Sequence, residues 1–211
     1  MKQLGALFAK DNVYSNANMM SPFIDNHDVP RFLHDAGSNG VNKLKMAMSL
    51  IMTMRGIPTV YYGTEVALDG GADPDNRRDM PWSTTRNNSV TDYIKALTSI
   101  RKGNVALRQG KQLEMWQDDQ VYGFLRTTGN NNDDVITLLN NSDSNQTRTI
   151  KIRAESNMAD GTNLKNLLGN DGVTVQNKTI TVTLGAKETK IFAIGNASLK
   201  NSIKRPVTNK K

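Results

Sequence analysis

The sequence predicts an α/β part followed by an all-β part, with the change near residue 104. Two observations predict it. Before residue 104, apolar segments alternate between strand-like and helix-like periods. After it, short alternating runs are separated by Asn- and Gly-rich clusters. With 211 residues the chain has room for one large domain or two small ones.

Residues 19–24 read as a short buried strand that ends in Asp25-Asn26-His27-Asp28. Gly37, Ser38, Asn39 and Gly40 mark a loop. Residues 41–55 have helical length, and Leu44, Met46, Ala47, Met48, Leu50, Ile51 and Met52 make the helix apolar nearly all round. Such a helix is buried on most faces, so its methionines are core rather than a cofactor site. Gly56 stops it and Pro58 prevents its extension. Residues 59–62 are β-branched and aromatic and read as a second strand, left through Gly63-Thr64-Glu65. A loop rich in Gly, Asp, Asn and Arg runs from Leu68 to about Asn88. Ser89-Val90-Thr91-Asp92 resembles a capping box. Val90, Tyr93, Ile94, Leu97 and Ile100 then fall on one face of a helix that Gly103 ends. The order strand, helix, strand, helix predicts parallel neighbours, with ligands gathering beyond the C-terminal strand ends. Further along, residues 121–128, 135–139, 149–153, 173–175, 179–184 and 189–194 read as strands of an antiparallel sandwich, with 176–178 a tight connection.

The composition narrows the chemistry. There is no cysteine, which excludes disulfides and thiolate nucleophiles. His27 and His34 match no zinc spacing, so no metal or other cofactor is expected within the chain. The formal charge of +7 owes much to Lys200, Lys204, Arg205, Lys210 and Lys211, in a polar, aperiodic tail that reads as a solvated end. No nucleic-acid motif accompanies it, so no nucleic-acid partner is expected. No apolar run is long enough for a membrane span, and the first eleven residues lack a signal-peptide core.

Three ordered blocks point to a family. Phe23-Ile24-Asp25-Asn26-His27-Asp28 resembles the fourth conserved region of the α-amylase superfamily. Residues 56–65, from Gly56 to Glu65, resemble that family's eighth barrel strand and its exit. Residues 71–82 resemble the following loop of cyclomaltodextrinase, neopullulanase and cyclodextrin glycosyltransferase relatives. The resemblance covers about residues 19–195. It implies that residues 1–103 are the C-terminal portion of a catalytic (β/α)8 barrel, holding its last two strand-helix units. Residues 104–195 would be an antiparallel β-sandwich C-terminal domain, and 196–211 the tail.

The resemblance also implies roles. Asp28 is the transition-state stabiliser, His27 binds the sugar at the cleavage point, and Asn26 helps to hold that turn. Asp73 and Arg77 grip a glucose further along the donor chain; pairing with each other across the loop is the alternative. Arg31 matches no family role and is expected in an ion pair. Glu65 is expected to anchor a loop rather than to catalyse, and Trp82 and Tyr62 to pack. The family's nucleophile and acid/base lie on earlier strands that match nothing before Met19. The chain is therefore expected to be part of a retaining α-glucan hydrolase, inactive alone and poorly soluble or associated with the missing barrel half. Calcium, common in the family, would be held mostly elsewhere. A glucan-binding module, or one half of a split enzyme, remain the alternatives.

Overall fold

The computed structural model describes residues 1–83, 88–156 and 158–195, so the expected tail lies outside the described residues. Among the described residues five α-helices precede eight strands: α1 (Lys2–Phe8), α2 (Phe32–Ala36), α3 (Gly40–Thr53), α4 (Ser89–Gly103) and α5 (Val105–Gln109), then β1 (Lys111–Gln117), β2 (Val121–Thr127), β3 (Val135–Asn140), β4 (Gln146–Lys151), β5 (Asn163–Asn166), β6 (Gly172–Thr174), β7 (Thr179–Leu184) and β8 (Thr189–Ile194).

The two long helices form where the apolar period places them. α3 buries Leu44, Met48, Ile51 and Met52, and Met46 packs at the rim of the same cluster. It ends at Thr53, before Gly56, because two arginines take its terminal carbonyls. Arg101 donates to Met52 O at 2.9 Å and to Gly56 O at 2.5 Å, and Arg126 donates to Thr53 O at 2.8 Å. Cations at a helix C-terminus complement both the orphan carbonyls and the dipole. In α4 the cap is Asn88 rather than Ser89: its side chain accepts from Val90 N at 2.8 Å and donates to Val66 O. Ser89 is thus the first helical residue, one position inside the expected box.

The all-β part holds two antiparallel sheets, one of six strands in the order β1-β2-β3-β8-β5-β6 and one of two, β4-β7. One apolar cluster joins α3 and α4 to Tyr122, Phe124, Val135, Leu139 and Ile191 on one face of the large sheet. A second joins its opposite face, through Val121, Leu125, Ile136, Leu138 and Phe192, to Ile150, Ile180 and Val182 of the small sheet. β2 and β3 are therefore buried along their whole length instead of on alternate residues. β7 and β8 fall on the expected residues. Between Gln176 and Thr179, Asn177 and Lys178 both have positive φ (51° and 56°), as a two-residue hairpin turn needs.

The two expected parallel strands are the correction. Among the described residues, 19–24 and 59–62 form no sheet, and no barrel is closed. They do run side by side. Ile57 N donates to Met20 O at 2.8 Å and Thr59 N to Pro22 O at 2.9 Å, a register that advances in parallel. A parallel ladder needs the reciprocal bond from residue 22 to Ile57 O, and Pro22 has no N–H to give. Ser21 Oγ donates to that carbonyl instead, at 3.2 Å. Gly56, at φ 105°, makes the approach possible: a Cβ there would stand 2.6 Å from Met20 O.

Candidate active-site loops

The candidate residues lie on two loops that leave the paired extended segments. The first follows residue 24. Asp25 is buried, and its carboxylate accepts from Phe32 N at 3.1 Å and from Thr64 Oγ1 at 2.9 and 3.1 Å. The next three residues turn outward. Asn26 Oδ1 accepts from Asp28 N at 2.7 Å, closing the turn on itself. His27 Nε2 stands 3.3 Å from Asp28 Oδ1, with both side chains mostly exposed (60% and 68%). Asp28 therefore offers an open carboxylate beside a nitrogen heterocycle, a pair suited to sugar hydroxyls.

The second loop follows Gly63. Arg77 Nε meets Asp73 Oδ1 at 2.7 Å, so the two residues do pair with each other, half exposed. Arg78 grips Asp75 with two bonds of 2.7 Å. That guanidinium, with the Gly71 N–H, holds the Asp75 carboxyl below the usual carboxylate range. Tyr62 Oη donates to Arg78 O, which ties the exit of the second segment to the loop.

The structure joins the two loops through residues that sequence reasoning did not single out or misread. Asn76, fully buried, donates from Nδ2 to His27 O and Val29 O, both at 2.9 Å. Arg31, also fully buried, forms no ion pair among the described residues, contrary to expectation. It donates from Nε to Asn76 O at 2.9 Å and from Nη1 to Tyr62 O at 2.7 Å, and its guanidinium carbon lies 4.5 and 4.8 Å from the Tyr61 and Tyr62 rings. Carbonyl dipoles and ring faces take the place of a carboxylate. The signal in the sequence was the pair of adjacent tyrosines, which offers a cation two ring faces. Tyr62 lays one ring face against Arg31 but is itself exposed (41%), and Trp82 is exposed as well (76%), so neither packs into the core as expected. Glu65 joins the loop to α4 through its backbone: its carbonyl accepts from Thr91 Oγ1 at 2.8 Å. No group of three or more metal-ligating side chains occurs among the described residues.

Known proteins share both the sequence and the architecture. The family model described as "Alpha amylase, catalytic domain" matches residues 2–154. The β/α-amylase of Paenibacillus polymyxa is 42% identical over 198 residues, 91% of this chain and 16% of that protein. A cyclomaltodextrin glucanotransferase of a Bacillus species (strain 1-1) is 42% identical over 127 residues, 60% of this chain and 17% of that protein. Among solved structures, an Anoxybacillus α-amylase superposes with a TM-score of 0.81 at 29% identity, covering 90% of this chain and 41% of that one. The α-amylase of Geobacillus thermoleovorans, complexed with acarbose, superposes with a TM-score of 0.79 at 26% identity over 90% of this chain and 42% of its own. The architecture is that of part of an amylase-type member of the glycoside hydrolases. The chain belongs to the α-amylase family, and it spans about a sixth of the length of the first curated relatives it matches.

Proposed function

We propose that this chain carries the transition-state-stabilising carboxylate and part of the glucan-binding surface of a retaining hydrolase of α-1,4-glucosidic bonds in starch-like substrates. In that reading residues 1–103 are the C-terminal portion of a catalytic (β/α)8 barrel and 104–195 its C-terminal sandwich domain, followed by the tail at 196–211. One observation carries it: the loop bearing Asp73 and Arg77 is hydrogen-bonded, through Asn76, to the carbonyls on both sides of Asp28. A single oligosaccharide can then meet both loops.

Cleavage of a glycosidic bond builds positive charge on the sugar ring, which the Asp28 carboxylate stabilises while accepting hydrogen bonds from ring hydroxyls. His27 donates to the same sugar, Asn26 keeps the turn closed, and Asp73 and Arg77 hold a glucose further along the donor side. Their mutual ion pair presets both side chains, and a sugar hydroxyl can bond to each without breaking it. A retaining mechanism also needs a nucleophile and an acid/base about 5 Å apart. No residue of this chain matches either role, so these 211 residues bind and stabilise without completing a turnover. The pair of extended segments, held by two backbone bonds and open at its outer edges, favours completion by further barrel strands, including strands from a separate chain.

Titration of the full chain with maltoheptaose tests this, followed by calorimetry or NMR. The intact chain binds. Asp73→Ala and Arg77→Ala each weaken binding about tenfold or more, the worth of a charge-assisted hydrogen bond. An intact chain that leaves maltoheptaose free contradicts the reading.

A further inference from the structure

Residues 26–30 form no helix or strand, yet they carry the groups on which the proposed function rests. Both ends are pinned by buried charges. Asp25 holds one end through Phe32 N and Thr64, and Arg31 holds the other. Burying a guanidinium without a counter-charge costs several kcal/mol unless its donors are used. Arg31 spends its donors on Asn76 O and Tyr62 O, and its own backbone N–H on Gly70 O at 2.9 Å. All three carbonyls belong to the second loop or to its entry. Asn76 answers in the other direction, with both bonds from Nδ2 going to the carbonyls that flank Asp28. Arg31 Nη2 and Asn76 Oδ1 nevertheless stay buried without a hydrogen bond.

We infer that Arg31 and Asn76 are positioning residues that lock the His27–Asp28 turn to the Asp73–Arg77 loop, so that a glucan gripped by the second loop meets Asp28 at a fixed distance. This rests on the glucan-binding reading above. Neither side chain reaches the substrate, since both are fully buried. Both act through backbone carbonyls, which a change of the substrate would not alter.

The chain has two histidines, so the His27 imidazole proton–carbon signal is assigned by comparison with His27→Gln. Asn76→Ala removes both bonds beside Asp28, and Arg31→Lys keeps the cation but loses the planar fork. Asn140→Ala is the control: it removes a comparably buried amide that donates to Ser144 O and Gly185 O inside the sandwich. The inference predicts that Asn76→Ala and Arg31→Lys both move the His27 signal and weaken maltoheptaose binding about tenfold. Asn140→Ala lowers the unfolding midpoint and changes neither. A His27 signal unmoved in both variants, or moved equally by Asn140→Ala, overturns it. If Asn76→Ala does not fold, Arg31→Lys carries the same decision. If the intact chain fails to bind maltoheptaose, the glucan reading falls, while the His27 signal still decides whether the turn is held from these two residues.

Discussion

Two stretches of similar composition behave differently in this chain. Thr179-Ile180-Thr181-Val182-Thr183-Leu184 forms β7 and pairs with β4 at six successive positions. Thr59-Val60-Tyr61-Tyr62 is as β-branched and aromatic, yet it forms only one end of a two-bond contact. Strand propensity is nearly the same in both. What differs is the partner. β7 meets a strand whose every N–H is available, whereas residue 59 meets a segment interrupted by Pro22. A strand is thus a property of a pair, and the candidate loops sit on the side of the molecule where pairing is thinnest. There the backbone is held by buried side chains, Asp25, Arg31 and Asn76, instead of by a ladder.

The largest test of this contrast is in the sandwich. Phe192→Ala deletes a buried ring between the two sheets and should cost about 3–5 kcal/mol in urea unfolding. Ile57→Ala, on the thinly paired side and half exposed, should cost under about 1 kcal/mol. Equal costs would erase the distinction between the two regions.

A smaller effect separates them by pH. Burial alone would raise the Asp118 carboxyl, but bonds from Arg148, Val121 N, Trp116 and Gln120 N outweigh it and hold it well below the usual carboxylate range. A carboxyl depressed in the folded state stabilises above its unfolded pKa, and that stabilisation is lost as the pH falls through the folded value. Asp118→Asn should therefore cost about 1–2 kcal/mol at pH 7, and progressively less as the pH is lowered below about 4. A cost independent of pH would remove Asp118 from this account.

The smallest effect addresses Pro22 itself. Ser21→Ala, which removes the hydroxyl that serves Ile57 O, should cost up to about 1 kcal/mol. Adding Pro22→Ala to it restores an N–H in register, and hydrogen exchange should show the amide at position 22 protected. An unprotected amide would mean that Pro22 is not what interrupts the ladder.

These contrasts also explain what the sequence could disclose. α3, α4, β7 and β8 were readable because their periods are local and their partners lie within the chain. The candidate site residues could be singled out because Asn26, His27 and Asp28, and Asp73 with Arg77, stand in recognisable order. β1 and β5 were not. β1 is only partly buried and shifts register between Glu114 and Trp116, and β5 is Asn163-Leu164-Lys165-Asn166, with a single apolar residue. Arg31 was read as an ion-pair member because a charged residue usually finds a charge. Its carbonyl and tyrosine partners come from residues 30 to 45 positions away, which no local pattern reports.

The most direct test is hydrolysis of starch and cyclodextrin by the purified 211-residue chain, followed by reducing-sugar release. The account predicts no release above buffer from a chain that still binds maltoheptaose. Sugar release that disappears in Asp28→Asn would contradict it, because the nucleophile and the acid/base would then have to lie within these residues.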